Sequence, residues 1–290
     1  MSLMNTLKTA FFLTVLTLLF LAVGGLLGGR QGMTTALVIA LALNLGAYWF
    51  SDKLVLAMYR ARPVTEAEAP DLVQTVRHLA QLADMPMPKV YVIPSQTANA
   101  FATGRSPNHA AVAATEGILQ VLDRQELEGV LAHELSHVRN RDVLIGTIAA
   151  AIAGALYYLI DMARWGLMFG GGRRDDREQG GGALNMAAFL VISILAPLLA
   201  MLVQMAVSRS REYQADESGA RLCRKPLALA SALEKISTVA ARRPLENANL
   251  ATAHLFIVNP FSARGIANLF STHPPVEKRV QILHQLARQL

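Results

Sequence analysis

The chain has 290 residues, of which 53% are hydrophobic, and its formal net charge is +6. This apolar share is higher than soluble domains normally carry, so part of the chain is expected to lie in lipid. A single cysteine, Cys223, excludes an internal disulfide and any metal site of the C-x-x-C type. No RNA- or DNA-binding motif is present, so the positive charge is interpreted as a membrane-proximal excess rather than a nucleic-acid surface.

Four apolar segments have the length of membrane-spanning helices, since about 18 to 20 apolar residues cross the hydrocarbon core. They are Thr9 to Gly29, Met33 to Phe50, Val143 to Trp165 and Ala183 to Val207. The last two contain polar residues or proline, which predicts that they pack against protein as well as lipid. The first is longer than a signal-peptide core and lacks a clear cleavage site, so an uncleaved anchor is expected.

Basic residues at the ends of these segments predict the orientation, because Lys and Arg accumulate on the cytoplasmic side. One side carries Lys8, Lys53, Arg60, Arg62, Arg139, Arg141, Arg209 and Arg211. The opposite loops carry fewer basic residues, and most of those are balanced by acidic ones. The pattern predicts a multi-pass membrane protein with both termini in the cytoplasm.

The alternation of apolar and polar blocks predicts one cytoplasmic domain built from two separate segments. The predicted division is 1–50 for two membrane helices, 51–142 for the first cytoplasmic segment, 143–207 for a second membrane hairpin and 208–290 for the second cytoplasmic segment. The fold class predicted is α+β and mostly α, with four membrane helices and a small sheet. Helices are expected at Asp71–Leu82, Ser208–Leu222, Pro226–Ser237 and Pro275–Arg288, and strands at Lys89–Ile93, Asn99–Thr103 and His109–Thr115.

A further helix is predicted from Glu126 to Val138, at the end of the first cytoplasmic segment. Its apolar residues recur at helical spacing, and no Gly or Pro falls between Val130 and Val138. Asp123 followed by Glu126 has the form of a capping box, which places the start of the helix.

This helix carries the sequence HELSH, an H-E-x-x-H motif formed by His133, Glu134 and His137. Positions i and i+4 share a helix face, so both imidazoles can bind one metal ion, while Glu134 lies beside that face as a general base for water. The alternative is a pair of ordinary surface histidines. A metzincin is excluded, because Asn140 and Val143 stand where that class places Gly and His.

A catalytic zinc usually takes three protein ligands, so the motif is one ligand short. The best local candidate is Glu212, which shares a helix face with Asp216. The small residues Ala215 and Gly219 would allow this helix to approach the motif closely, and Asp216 could then accept the second ring N–H of a ligand histidine. From spacing alone, the alternative of an exposed acidic face balanced by nearby arginines remains open.

HELSH before an apolar span, followed by SRSREYQAD and STHPPVEKR, resembles the HtpX-like membrane zinc metallopeptidases, which are related to the CAAX prenyl proteases. The resemblance covers nearly the whole chain. It implies a zincin-like cytoplasmic domain with one Zn²⁺ held by His133, His137 and Glu212. It also implies that Asp216 supports a ligand histidine.

The same resemblance implies two further groups of site residues. Asn99, Ala100, Phe101 and Ala102 would form an edge strand that binds the substrate backbone by strand addition; the alternative is an ordinary strand with Phe101 in the core. His273 and Arg279 would lie near the metal and stabilise an oxyanion. The alternatives are that His273 starts a helix and that Arg279 is structural.

The function that the resemblance implies is a zinc endopeptidase that degrades misfolded or damaged membrane proteins in quality control and stress response. It would lie in the bacterial inner membrane, with the lipid bilayer and unfolded membrane proteins as partners. The sequence leaves three rival interpretations. They are an intramembrane protease of the site-2 type, a structural-zinc protein or adaptor without catalysis, and a prenyl-peptide processor.

Overall fold

The computed structural model describes residues 3–140, 142–144, 146–148, 209–242, 255–257 and 274–290. The predicted membrane segment 183–207 and most of the segment 143–165 lie outside these ranges. His273 lies outside them as well.

The N-terminal region is helical from Leu3 to Met58 (α1) and is broken at Gly28 and Gly29, where the backbone leaves the helical conformation. Gly29 has a positive φ of 55°, a conformation that glycine adopts at little cost. Within the described part of the chain, one helix, Gly28–Met58, is long and apolar enough to cross a membrane. It contains the predicted span Met33 to Phe50, but the prediction of four spans is not confirmed.

The two arms of α1 fold back on one another as a hairpin. The Asn44 side-chain amide donates hydrogen bonds to Thr17 Oγ1 at 2.8 Å and to the Leu13 carbonyl at 3.3 Å. Near the turn, a Cβ added to Gly24 would lie 2.5 Å from the Cβ of Ala36, so the close approach of the arms requires glycine there.

The sheet has four strands, β1 (Arg62–Pro63), β2 (Lys89–Ile93), β3 (Ala100–Gly104) and β4 (Ala110–Thr115), in the order β1-β2-β4-β3. β2 and β4 are parallel, whereas β1 and β3 run antiparallel to their neighbours. The three predicted strands are therefore confirmed to within one residue. Among the described strands β3 is an edge, and its residues lie closest to the HELSH helix.

The helices that follow α1 are α2 (Pro70–Leu82), α3 (Glu116–Val121), α4 (Arg124–Asn140), α5 (Arg209–Cys223), α6 (Pro226–Arg242) and α7 (Val276–Ala287). α4 carries the HELSH motif and packs against α2, α5, α6 and β3. Most of its residues are buried, including Val130, Leu131 and Leu135 at 0% exposure. The observed fold is mostly helical with a small mixed sheet, as predicted.

The start of α4 has the predicted capping box. Asp123 Oδ1 accepts from the backbone N–H groups of Gln125 and Glu126 at 2.8 and 2.9 Å, and Glu126 Oε2 accepts from the Asp123 N–H at 2.9 Å. The Glu126 carboxylate also receives hydrogen bonds from Ser231 at 2.6 Å and Lys235 at 2.8 Å, both on α6. One side chain thus caps α4 and ties it to α6.

Aromatic contacts join the hairpin to the sheet next to the HELSH helix. The Arg105 guanidinium lies 4.5 Å from the ring centre of Trp49, and the rings of Tyr59 and Phe101 are 5.4 Å apart. Trp49 lies near the end of the apolar arm, where tryptophan favours the lipid–water boundary. The sheet edge is therefore held close to the end of the candidate membrane helix.

Candidate metal centre

His133, His137 and Glu212 converge, with one donor atom of each within 4.8 Å of the others. The two Nε2 atoms of His133 and His137 are 3.2 Å apart. Glu212 Oε2 lies 3.7 Å from His133 Nε2, and Glu212 Oε1 lies 3.5 Å from His137 Nε2. The structure thus brings together the three predicted ligands.

These separations fit a tetrahedral metal ion. Zinc bonds of about 2.0 to 2.2 Å at a tetrahedral angle place neighbouring donor atoms about 3.3 to 3.6 Å apart. Two imidazoles and a carboxylate are also a typical catalytic donor set, which leaves the fourth position to water. The side chains of His133 and Glu212 are 1% and 6% exposed, so the centre lies inside the protein.

The close packing of α4 and α5 places Glu212 beside the two histidines. A Cβ added to Gly219 of α5 would lie 2.7 Å from the backbone nitrogen of His133, and Ala215 is completely buried. Small residues at these two positions therefore allow α5 to reach α4, as the sequence predicts.

Each ligand imidazole has a carboxylate at its other ring nitrogen. His133 Nδ1 lies 2.9 Å from Asp216 Oδ1, a close contact that is poorly aligned as a hydrogen bond. His137 Nδ1 lies 3.1 Å from Asp142 Oδ2. Such partners fix the orientation of metal-bound histidines.

Asp142 was not identified from the sequence. It follows the end of α4, and its backbone N–H donates to the His137 carbonyl at 3.2 Å, so a turn brings its side chain back to the histidine. The only signal was an acidic residue five positions after the second histidine.

Burial alone would lower the pKa of His137, but the hydrogen bond and charge of Asp142, with the charges of Glu212 and Glu134, raise it to about 9. These surroundings favour a positive charge at the centre.

Glu134 lies beside the ligands and meets the edge of β3. Its Oε2 accepts a hydrogen bond of 2.9 Å from the backbone N–H of Ala102. Burial raises the pKa of Glu134, and the nearby Glu212 adds to this, while the two histidines and the Ala102 hydrogen bond oppose it. A carboxylate with a raised pKa near a metal is suited to general-base work.

The four residues predicted to bind substrate lie at or just before β3. The Phe101 side chain is 2% exposed and packs in a core that includes Val55 and Leu56 of α1. Ala100 and Ala102 are 0% and 6% exposed. Substrate binding by this strand stays a prediction.

Arg279, predicted to stabilise an oxyanion, is buried on α7. Its Nε and Nη2 donate to the two Asp216 carboxylate oxygens, each at 2.7 Å. Burial raises the pKa of an isolated carboxyl, but Arg279, aided by His133, outweighs this effect and lowers the pKa of Asp216 to about 2. The oxyanion role of Arg279 stays a prediction, as does that of His273.

A buried H-E-x-x-H helix completed by a glutamate from a second helix is the donor arrangement of metallopeptidases. A family model, Peptidase family M48, matches residues 66–287. A protease HtpX homolog of Syntrophotalea carbinolica is 56% identical over 284 residues, which are 98% of this chain and 99% of that protein. One from Pyrococcus furiosus is 52% identical over 283 residues, 98% of this chain and 96% of that protein. The chain belongs to peptidase family M48 and is a membrane protease of the HtpX type.

A solved structure, the crystal structure of S. mikatae Ste24p, resembles the chain with a TM-score of 0.50 at 17% identity. The alignment covers 97% of this chain and 64% of that one. This likeness supports the overall fold.

Proposed function

We propose that the chain is a zinc-dependent endopeptidase of the bacterial cytoplasmic membrane that degrades misfolded or damaged membrane proteins. The observation that supports the proposal most is the convergence of His133, His137 and Glu212 next to Glu134. Imidazole and carboxylate ligands in tetrahedral spacing favour zinc among the divalent ions.

When bound, zinc supplies a Lewis acid that polarises a peptide carbonyl and acidifies water. The Glu134 carboxylate takes a proton from the attacking water and delivers it to the leaving amine. The Ala102 N–H holds this carboxylate in place, and Asp216 and Asp142 orient the two imidazoles. The surrounding burial keeps bulk water away from these groups.

Binding of the substrate by strand addition would suit unfolded chains of varied sequence. In an antiparallel pair, alternate residues turn their N–H and C=O groups away from the partner strand. The Asn99 carbonyl accepts from the Thr115 N–H on the β4 side, and the Ala102 N–H points to Glu134. The main-chain groups of Ala100 and Ala102 therefore face the catalytic side. Because Glu134 takes the Ala102 N–H, an extended peptide would pair with the N–H and C=O of Ala100 and the C=O of Ala102.

The lipid bilayer is the proposed setting, with the catalytic domain on the cytoplasmic side. The apolar arm Gly28–Met58 and the excess of basic residues at its C-terminal end support this orientation. Stress-related quality control best suits a protease beside the membrane that binds the backbone of its substrates, because unfolded proteins of any sequence expose that backbone.

The proposal is tested with detergent-purified full-length protein and unfolded, non-prenylated casein. The variants are Glu134→Gln and, as a matched control, Glu217→Gln, an exposed carboxylate on α5 that pairs with Arg221. We expect about one zinc per chain in all three proteins and cleavage by the wild type and the control only. Zinc without cleavage in every sample, across several unfolded membrane proteins, would favour a structural metal or an adaptor. Cleavage restricted to prenylated peptides would favour the processor.

A further inference from the structure

Arg279 is enclosed by the protein and its nitrogens are engaged. Its side chain is 0% exposed. Nε and Nη2 form a two-pronged contact with Asp216, and Nη1 donates to the Ile257 carbonyl at 2.8 Å. A guanidinium with this arrangement is suited to hold other protein groups in position.

Asp216 carries this contact on to the metal centre. The same Oδ1 that receives Arg279 Nη2 lies 2.9 Å from His133 Nδ1. Because both carboxylate oxygens are held by one planar guanidinium, the carboxylate cannot rotate freely about its bond to Cβ. The direction in which Asp216 meets the His133 ring is therefore set by Arg279.

The other end of this chain of contacts reaches the start of β3 through residues 255–257. The Ile257 N–H donates to Asn99 Oδ1 at 3.1 Å, and Asn99 Nδ2 donates to the Leu255 carbonyl at 3.3 Å. The backbone of Asn99 is itself bonded to β4, since its carbonyl accepts from the Thr115 N–H at 2.9 Å. Ile257 thus donates its N–H to the side chain of Asn99, just before β3, and its C=O accepts from Arg279.

We propose that Arg279 is a positioning residue for the metal ligand His133, acting through Asp216, and that Asn99 aligns this arrangement with β3 through the main chain of Ile257. The inference rests on the proposed zinc-peptidase function. In this proposal the Asn99 side chain holds residues 255–257 inside the protein. The proposal also explains why the buried guanidinium of Arg279 and the buried amide of Asn99 both bind the short segment 255–257.

The primary test is the zinc dissociation constant, measured by competition with a chelator. Arg279→Lys keeps the positive charge but loses the planar fork, so the zinc affinity should fall by about tenfold or more. Asp216→Asn with Arg279→Met removes both charges and avoids leaving one unpaired in the interior, and it should lose affinity to a similar degree. The matched control is Glu126→Gln on the same helix as His133. It breaks the ion pair between the buried Glu126 carboxylate and the half-exposed Lys235, and it should leave the zinc affinity unchanged.

Asn99→Leu supplies the second measurement, because leucine keeps the approximate size but loses both hydrogen bonds to residues 255–257. We expect a smaller loss of zinc affinity, about two- to threefold, and a rise in KM for casein that exceeds the fall in kcat. In the Arg279→Lys background, Asn99→Leu should have little further effect on zinc affinity, because both residues act through the same segment.

One outcome would overturn the positioning role and leave the proposed function intact. In it the wild type binds zinc, and the folded Arg279→Lys variant and the folded Asp216→Asn/Arg279→Met variant bind zinc as tightly as the wild type. Fully additive losses for Asn99→Leu and Arg279→Lys would overturn the link through Ile257. Wild-type protein that binds no zinc would overturn the proposed function and this inference together.

Discussion

The backbone N–H of Ala102 donates to the carboxylate of Glu134 at 2.9 Å, so the sheet edge and the HELSH helix meet at one hydrogen bond. Glu134 is therefore oriented by the strand that is proposed to bind substrate. Under the proposed function, this hydrogen bond would join substrate alignment and proton transfer at Glu134.

Replacing Ala102 with proline removes this donor while leaving the ladder with β4 intact, since the Ala102 N–H points away from β4. We expect the casein-cleavage rate to fall by about tenfold or more, because the general base loses an orienting bond. The melting temperature should change little. Thr103→Pro is the control, because its N–H faces β4 and its loss should lower the melting temperature. Unchanged cleavage by folded Ala102→Pro would contradict the orienting role.

Gly219→Ala is expected to weaken both stability and metal binding. The added methyl would lie 2.7 Å from the His133 nitrogen, so α5 must move away from α4. Overpacking of this kind costs about 1 to 3 kcal/mol in the free energy of unfolding. Gly46→Ala is the matched control, because nothing lies within 4 Å of a Cβ at that helical position. Equal zinc affinity and equal denaturation midpoints for the two variants would show that α4 and α5 do not require this contact.

Asp142→Ala should reduce zinc affinity by about 10- to 100-fold, the usual effect of removing the partner of a metal-bound histidine. The physical reason is the 3.1 Å contact with His137 Nδ1, which sets the tautomer and the ring angle. Asp142→Asn keeps a side-chain oxygen acceptor and should lose less affinity than the alanine variant. The zinc affinities of the wild type and both variants are measured by competition with a chelator. Equal affinities in all three would rule out the role of Asp142 in orienting His137.

Glu126 is expected to make stability depend on acid pH. Burial raises its pKa, but hydrogen bonds from Lys235, Ser231 and the Asp123 N–H outweigh this effect, and the pKa is lower than in the unfolded chain. Its stabilising effect is therefore complete above the unfolded pKa of about 4.3 and is lost as pH falls through the lowered folded value. Glu126→Gln should lower the melting temperature at pH 7, and this difference from wild type should shrink as the pH approaches 3. The control variant is Glu234→Gln, at an exposed residue of the same helix as Lys235. A Glu126→Gln difference that stays constant with pH would contradict the assignment.

Local patterns in the sequence were sufficient to predict β2, β3, β4 and α4, and to place His133, Glu134 and His137 on α4. Helical spacing places His133 and His137 on one face, and the capping box formed by Asp123 and Glu126 sets the start of α4 as observed. The three strands also follow from local composition. These features depend on contacts within a few residues, which the order of amino acids determines directly.

The roles of Asp142, Asn99 and Arg279 depended on the tertiary structure. Asp142 reaches His137 only because the chain turns after α4, and Arg279 reaches Asp216 across 63 positions in sequence. Asn99 binds a segment 158 positions away. Spacing within one helix does not fix which distant side chains share an interior, because the packing of α4, α5 and α7 makes that choice. The sequence by itself therefore determined the ligand-bearing helix and its chemistry, and the tertiary packing decided which groups orient it.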